Sequence, residues 1–451
     1  MNARGKFRYT LMLAGSLCTA APSFAATTAE SVDSRITRLE QELAELKALV
    51  QSRPAAAATA DTPAPIKKAE PSALLPVSTN SGVKVQLYGF ARFDASYDTG
   101  TIYPGNIALW AQPENGRTHD GEWDLTAGAT RIGLNLSGPD TERMKLTGNI
   151  ELDFLTSVST ENNQAPRLRH GYIKAYWPSS DFSILAGQTW DLVSSLLPFV
   201  DDPALIWDAG NIGSRHPQVR LTKGFATGNN GRIEMAIAAS RTIGERSTYQ
   251  TLAFQNDTGK DAVIPSIQGR VAFSEPLIVK NQPATIAISG HYGQEEWDTN
   301  SAGSFKTLDS WSCNLELSMP LSQKLLFAGE YFTGSNLDDY FGGIGQGVNS
   351  TITTDPNEIR SNGGWGALKY TINPVTSVSL GAGLDNPNDN DLNGMATTTR
   401  SRNQTIFGNV ITKLTPNLVL GLQLSDWKTE YKGGTPEGGA LRAQTSLTYK
   451  F

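Results

Sequence analysis

The feature that most constrains this chain is an eleven-residue run at 144–154, MKLTGNIELDF. Met144, Leu146, Gly148, Ile150, Leu152 and Phe154 alternate with Lys145, Thr147, Asn149, Glu151 and Asp153. A period of two places the first set on one face of a β-strand and the second set on the other. One face is wholly apolar and the other wholly polar, which leaves two architectures. In a soluble sandwich the apolar face meets a core and the polar face meets water. In a transmembrane barrel the apolar face meets lipid and the polar face lines a lumen.

Length and spacing favour the barrel. Segments with this pattern run about ten to fifteen residues, whereas strands of soluble proteins average five or six. Sixteen strands are expected, near 83–98, 127–138, 144–155, 167–177, 182–190, 215–223, 230–241 and 265–274 in the first half. The second half supplies 284–297, 307–318, 324–335, 361–372, 375–385, 403–413, 417–431 and 440–451. Connections starting at Pro139, Pro178, Pro320, Asn373 and Thr415 are tight, and those starting at Thr99, Asp191, Thr242, Asn336 and Asn386 are long and rich in Gly, Asn and Asp. Short turns on one side and long loops on the other is the layout of outer-membrane barrels. Trp177 and Phe182 flank the turn PSSD as an interfacial aromatic girdle would. The chain ends QTSLTYKF, with Leu447, Tyr449 and Phe451 on one face, and this resembles the aromatic C-terminal signature of such barrels.

The first residues are of another kind. Arg4, Lys6 and Arg8 precede the apolar stretch LMLAGSLCTAA and the small-residue segment PSFA, an order that reads as a secretory signal peptide over 1–25, cut after Ala25. Bulky Leu17 in front of Cys18 argues against a lipoprotein signal. Loss of the leader removes three basic residues and no acids, so the formal charge moves from −6 to −9. That balance argues against a nucleic-acid partner, which would select a basic face. Cys313 is then the sole cysteine, and no intramolecular disulfide can form.

Within 26–51, Ile36, Leu43 and Val50 take position a of a heptad and Val32, Leu39 and Leu46 take position d. The stripe is narrow and its flanks are charged, as in a coiled coil. Residues 52–82 hold prolines among Ala, Thr and Ser and read as a semi-extended linker. The expected fold is therefore all-β: a 16-stranded antiparallel transmembrane β-barrel over 83–451, with an N-terminal α-helical coiled coil.

Three features in order carry a family resemblance: the exported coil with its Pro/Ala linker, the opening strand VKVQLYGFARFDASYD, and the segment LAGQTWDLVSSLLPFVDDPALIWDAGNIG after the fifth strand. The chain resembles the DcaP-type trimeric outer-membrane porins over essentially its whole mature length. The resemblance implies a homotrimer, a coil in the periplasm, a third loop folded into the lumen as a constriction, and uptake of small organic anions such as dicarboxylates and aromatic acids. About three heptads are too few to stand alone, and three barrels side by side would supply three helices. Ile at a with Leu at d leans toward dimers, but Arg35 at g and Glu40 at e fit a three-stranded coil.

By parity the inward positions carry Arg92, Arg131, Lys145, Lys174 and Arg220 on the early strands, and Arg270, Lys369 and Arg442 later. The functional reading is a cationic path for the anion. The plain alternative is a solvated wall in which these groups pair with Asp94, Glu151, Asp153 or Glu234. Other functions are a phosphate- or sugar-type or general porin, and an adhesin or envelope tether whose coil grips cell-wall components. An enzyme is disfavoured, because His119, His170, His216 and His291 are dispersed and no nucleophile elbow is present. No cofactor or metal is expected. The loop DNDLNG at 389–394 opens like a calcium loop, but Arg400 stands where the bidentate Glu belongs.

Overall fold

The computed structural model describes residues 77–451 except 115–119, 156–162, 229, 243–258, 260–261, 263, 300–303 and 353. The expected leader and coiled coil, and nearly all of the linker, lie outside the described residues. Sixteen wall strands are described. They are β1 (Lys84–Asp98), β2 in two pieces (Glu122–Thr126 and Arg131–Ser137), β3 (Lys145–Asp153), β4 (Arg167–Trp177), β5 (Phe182–Trp190) and β6 (Arg215–Thr227). Next come β7 (Gly231–Ser240), β8 (Ser266–Val279), β9 (Gln282–Asp298), β10 (Phe305–Pro320) and β11 (Leu325–Ser335). The last five are β12 (Arg360–Asn373), β13 (Thr376–Pro387), β14 (Arg400–Lys413), β15 (Leu418–Tyr431) and β16 (Gly438–Lys450). Each pairs antiparallel with its chain neighbours, and β1 pairs both with β2 and with β16, for example Phe90 with Lys450, which closes the barrel.

The wall is inside-out relative to a soluble protein. On β3, Asn149, Glu151 and Asp153 are buried while Leu146 and Ile150 are exposed. The same holds around the ring, where Gln268, Asn314, Glu316, Asn409 and Gln423 point inward and Val271, Ile288, Leu315, Leu380 and Ile406 point outward. Apolar side chains left facing out along every strand are at low free energy only in a hydrocarbon surround. Cys313 lies between Gly290 of β9 and Thr333 of β11 and is exposed on that outer face. In intact membranes a charged, water-soluble thiol reagent is therefore expected not to label it, because such a reagent does not enter the hydrocarbon layer. Rapid labelling would put the β10 register out by one residue.

The largest departures from the expected boundaries are at three strands, and the first is β6, which runs to Thr227 against the expected 223. The second strand starts earlier, at Glu122, and is interrupted over 127–130. β8 continues past Pro276 to Val279 through a register shift between Glu275 and Val279, a bulge at the rim where a proline costs no ladder bond.

The interior is filled unevenly. A hairpin in the first long loop (Ile102–Pro104 with Ala108–Ala111) and the segment around Ile206 and Ala209 pack on Ala328, Trp365, Ala367, Phe407, Trp427 and Ala440 of the β11–β16 wall. Hydrogen bonds from Asn403 Nδ2 to the Leu109 carbonyl (2.7 Å) and from Tyr431 Oη to the Ala111 carbonyl (2.6 Å) hold the hairpin there.

Candidate functional site in the barrel lumen

Residues 191–214, which follow β5, reach inward side chains on most of the wall. The Leu192 N–H donates to Gln268 Oε1 (2.8 Å) and the Ser194 N–H to Ser289 Oγ (3.3 Å). Glu330 of β11 accepts from the Leu196 N–H (2.7 Å), from Ser194 Oγ (2.8 Å) and from its neighbour Trp365 Nε1 (2.9 Å). Further on, Asn409 donates to the Phe199 carbonyl, the Asp201 N–H donates to Gln423, and Ser446 donates to the Asp201 carboxylate. The segment thus crosses the lumen from β5 to β16. Its return leg presses on β12 and β13, where a Cβ on Gly210 would collide with the Gly364 carbonyl. At its base Asp191 accepts from Gln268 Nε2 and the Ser214 N–H and sits 2.8 Å from His216 Nδ1. Burial alone would raise the Asp191 carboxyl, but the His216 ring and these donors hold it below the usual carboxylate range.

The residues expected in the cationic path separate into distinct settings. Arg92 forms bonds through Nε and Nη2 to Asp94 and through Nη1 to Asp201 (3.3 Å), so it ties the crossing segment to β1. Arg131 lies across the Phe90 ring, 4.0 Å from Glu151, with Nε buried and lacking a hydrogen-bond partner. Arg220 donates to Gln218 and to the Trp190 carbonyl and has no carboxylate in ion-pair range among the described residues. Lys174 lies over Tyr176, and neither it nor the exposed Lys145 forms an ion pair among the described residues. Among the later ones, Arg270 is paired with Glu316 and Arg442 with Asp98, while Lys369 stands over the Phe199 ring. Burial pushes both Asp201 and Asp202 up, Asp202 to about 6, with Arg92 and Arg442 respectively opposing the rise.

Three arginines that parity did not single out complete the charged wall. The β3–β4 ladder pairs Glu151 with His170 and then Leu152 with Leu168, leaving Arg169 as the extra residue of a bulge. Above that bulge the phase reverses, so Arg167 and Arg169 point inward as His170 and Lys174 do below it. Arg167 binds Asp153 through two parallel bonds of 2.9 Å, and Arg169 bridges Glu151 (2.7 Å) and Asp153 (2.8 Å). Arg215, the first residue of β6, is buried with its guanidinium 4.4 Å from the Trp190 ring centroid and 5.5 Å from that of Trp207. Its Nη1 has no hydrogen-bond partner, and Arg169, Arg167 and Arg131 are among its charged neighbours. Trp207 in turn stacks on Phe341 at 4.0 Å. Four guanidinium groups thus stand around two carboxylates, beside an aromatic wall.

No family model matches the chain, and no curated protein matches its sequence. Among solved structures it is similar to the outer membrane channel DcaP of Acinetobacter baumannii, with a TM-score of 0.68 at 20% identity, over 84% of this chain and 100% of that one. The barrel has the DcaP fold. It is also similar to the anion-selective porin from Comamonas acidovorans (TM-score 0.53, 12% identity, 82% of this chain and 100% of that one). A third likeness is to Salmonella typhi OmpF, solved in complex with daunomycin (TM-score 0.51, 11% identity, 83% and 99%). The DcaP-like barrel is the scaffold on which the charged wall is mounted.

Proposed function

We propose that this protein is a non-enzymatic diffusion channel of the bacterial outer membrane that passes small organic anions, dicarboxylates and aromatic acids included. It assembles as a homotrimer, with its N-terminal coil in the periplasm and residues 191–214 as the constriction. The observation that carries this reading is the uncompensated charge on the β2–β6 wall. Arg215 and Arg220 have no carboxylate in ion-pair range among the described residues, and Arg131 has only a distant one. Arginine can hold a carboxylate through two parallel hydrogen bonds, and half-buried Trp190 stands beside Arg215 for an aromatic acid to contact. A few fixed charges in a narrow lumen outweigh many in external loops, which salt screens beyond about 8 Å. Lys145 and Lys174 extend the same path along β3 and β4, and Arg92, though tied to Asp94 and Asp201, borders it on β1.

One observation favours a second reading. On the β16–β1 side Arg92 and Arg442 face Asp94, Asp98, Asp201 and Asp202, so that wall is charge-balanced or acidic, as in a weakly selective general porin. The reversal potential of the purified protein in a planar bilayer under a KCl gradient separates the two. Chloride preference is the expected result. A pore that prefers potassium would sink the anion reading, and absence of any conductance would sink the channel itself.

A further inference from the structure

We propose that the short-turn rim running from β8 round to β1 is a binding surface for anionic phospholipid, of the phosphatidylglycerol class, in the inner leaflet. This rests on the outer-membrane reading above, which places the short turns at the periplasmic face. The turns on this arc are 280–281, 321–324, 374–375 and 414–417, and none of them contains an acid. Lys280 and Lys324 lie in two of these turns, and Lys413, Lys450 and Lys84 close the ends of β14, β16 and the start of β1. All five are exposed, and none forms an ion pair among the described residues. In a chain whose formal charge is −6, five lysines on one arc, with Glu275 of the β8 bulge as the acid nearby, run against the composition.

The rest of the same rim is different. There Asp181 and Glu234 pair with Arg232, and Glu142 is next to Arg143, so the charges largely cancel.

What distinguishes lipid from a soluble acidic partner is the exposed apolar residue near four of the five lysines. Lys280 follows exposed Leu277 and Ile278, Lys324 follows exposed Leu321, Lys413 precedes exposed Leu414, and Lys450 lies between exposed Tyr449 and Phe451. Lys84, Lys413 and Lys450 follow the inward set of their strands, so they stand at the mouth of the barrel, and an apolar stub in the acyl layer next to a rim lysine keeps the ammonium within a side-chain length of the phosphates. Lysines close to an anionic leaflet attract it within about one Debye length. A soluble acidic glycan or protein would be met by the charge but would gain nothing from the stubs.

The test uses the full-length protein in mild detergent, incubated with equal amounts of a phosphatidylglycerol and a phosphatidylcholine of the same chain length. Native mass spectrometry then counts the lipids retained. Wild type is expected to favour phosphatidylglycerol by about tenfold or more. K280Q/K324Q/K413Q/K450Q is expected to lose that preference, while D181N/R232Q on the compensated arc keeps it. If the fourfold variant does not fold by heat-modified gel mobility, the pairs K280Q/K324Q and K413Q/K450Q each test half of the arc. Equal retention of the two lipids by wild type, or an unchanged preference in the folded variants, overturns the proposal, as does competition by a soluble cell-wall fragment at equal efficiency. Reversal potential in neutral bilayers is expected to stay at the wild-type value in the fourfold variant. A wild type that forms no pore yet favours phosphatidylglycerol would therefore refute the channel reading and leave this one standing.

Discussion

Replacing Glu330 by Ala is expected to raise single-channel conductance and make it noisy while leaving the barrel folded. One buried carboxylate accepts from the Leu196 N–H, Ser194 Oγ and Trp365 Nε1, and the first two of these donors belong to the segment that crosses the lumen. Truncation leaves three donors without an acceptor, each at about 1–3 kcal/mol, or roughly 3–9 kcal/mol together. The alternative for the segment is to leave its seat near Glu330 and hydrate the Leu196 N–H and Ser194 hydroxyl in the lumen. The wall is insulated from that event, because the β11 ladder to β10 and β12 uses backbone groups only. Glu330→Gln keeps one good acceptor oxygen and is expected to fall between wild type and Ala. Single-channel recording with gel mobility as the folding control decides the matter. An unchanged conductance in Glu330→Ala would mean that the bonds at Ser289, Asn409 and Gln423 suffice to seat the segment.

The wall was legible in the sequence because a strand's pattern is local. The eleven residues 144–154, nine of them β3, show which face meets lipid, and a one-residue error would bury the wrong set. The closing of the ring was legible in the same way, from sixteen strands and alternating connections. What parity could not reach is any place where the ladder skips. Arg169 is the clearest case, since one bulge residue turns Arg167 and Arg169 from the outward face to the inward one, and nothing in RLRH announces it. Arg215 escaped for a related reason. It opens β6 next to buried His216, so two consecutive residues are buried and alternation has no meaning there.

The conformation of residues 191–214 was out of reach for a different reason. Its apolar-acidic composition and its place after the fifth strand suggested an inward loop only through the family resemblance. The bonds that seat it link residues 76 to 245 positions apart, and such pairings leave no periodicity. The same holds for the roles of Arg92 and Arg442. Parity put both in the lumen, but only the crossing segment, by bringing Asp201 and Asp202 to them, makes them partners of a loop.

That division of roles sets the last expected result. Changing Arg215 to Gln removes a buried charge that no carboxylate pairs with directly among the described residues, and it should shift the reversal potential toward cations with little change in conductance. Glutamine still fills part of the slot between Trp190 and Trp207, so the fold is expected to persist. A hydrogen bond to a charged group contributes about 1.5–3 kcal/mol, so block of the current by a small dicarboxylate should weaken by about ten- to a hundredfold. Arg215→Lys separates charge from geometry: it keeps the cation but loses the planar fork and its stacking on indole. It is expected to retain most of the anion preference while binding the dicarboxylate less tightly. Arg92→Ala offers the contrast, because it frees Asp94 and Asp201 and loosens one end of the crossing segment, so conductance and selectivity should move together. If Arg215→Gln keeps both the wild-type reversal potential and the wild-type block, permeating ions do not sense this guanidinium. The anion preference would then have to come from Arg131, Arg220 and Lys174.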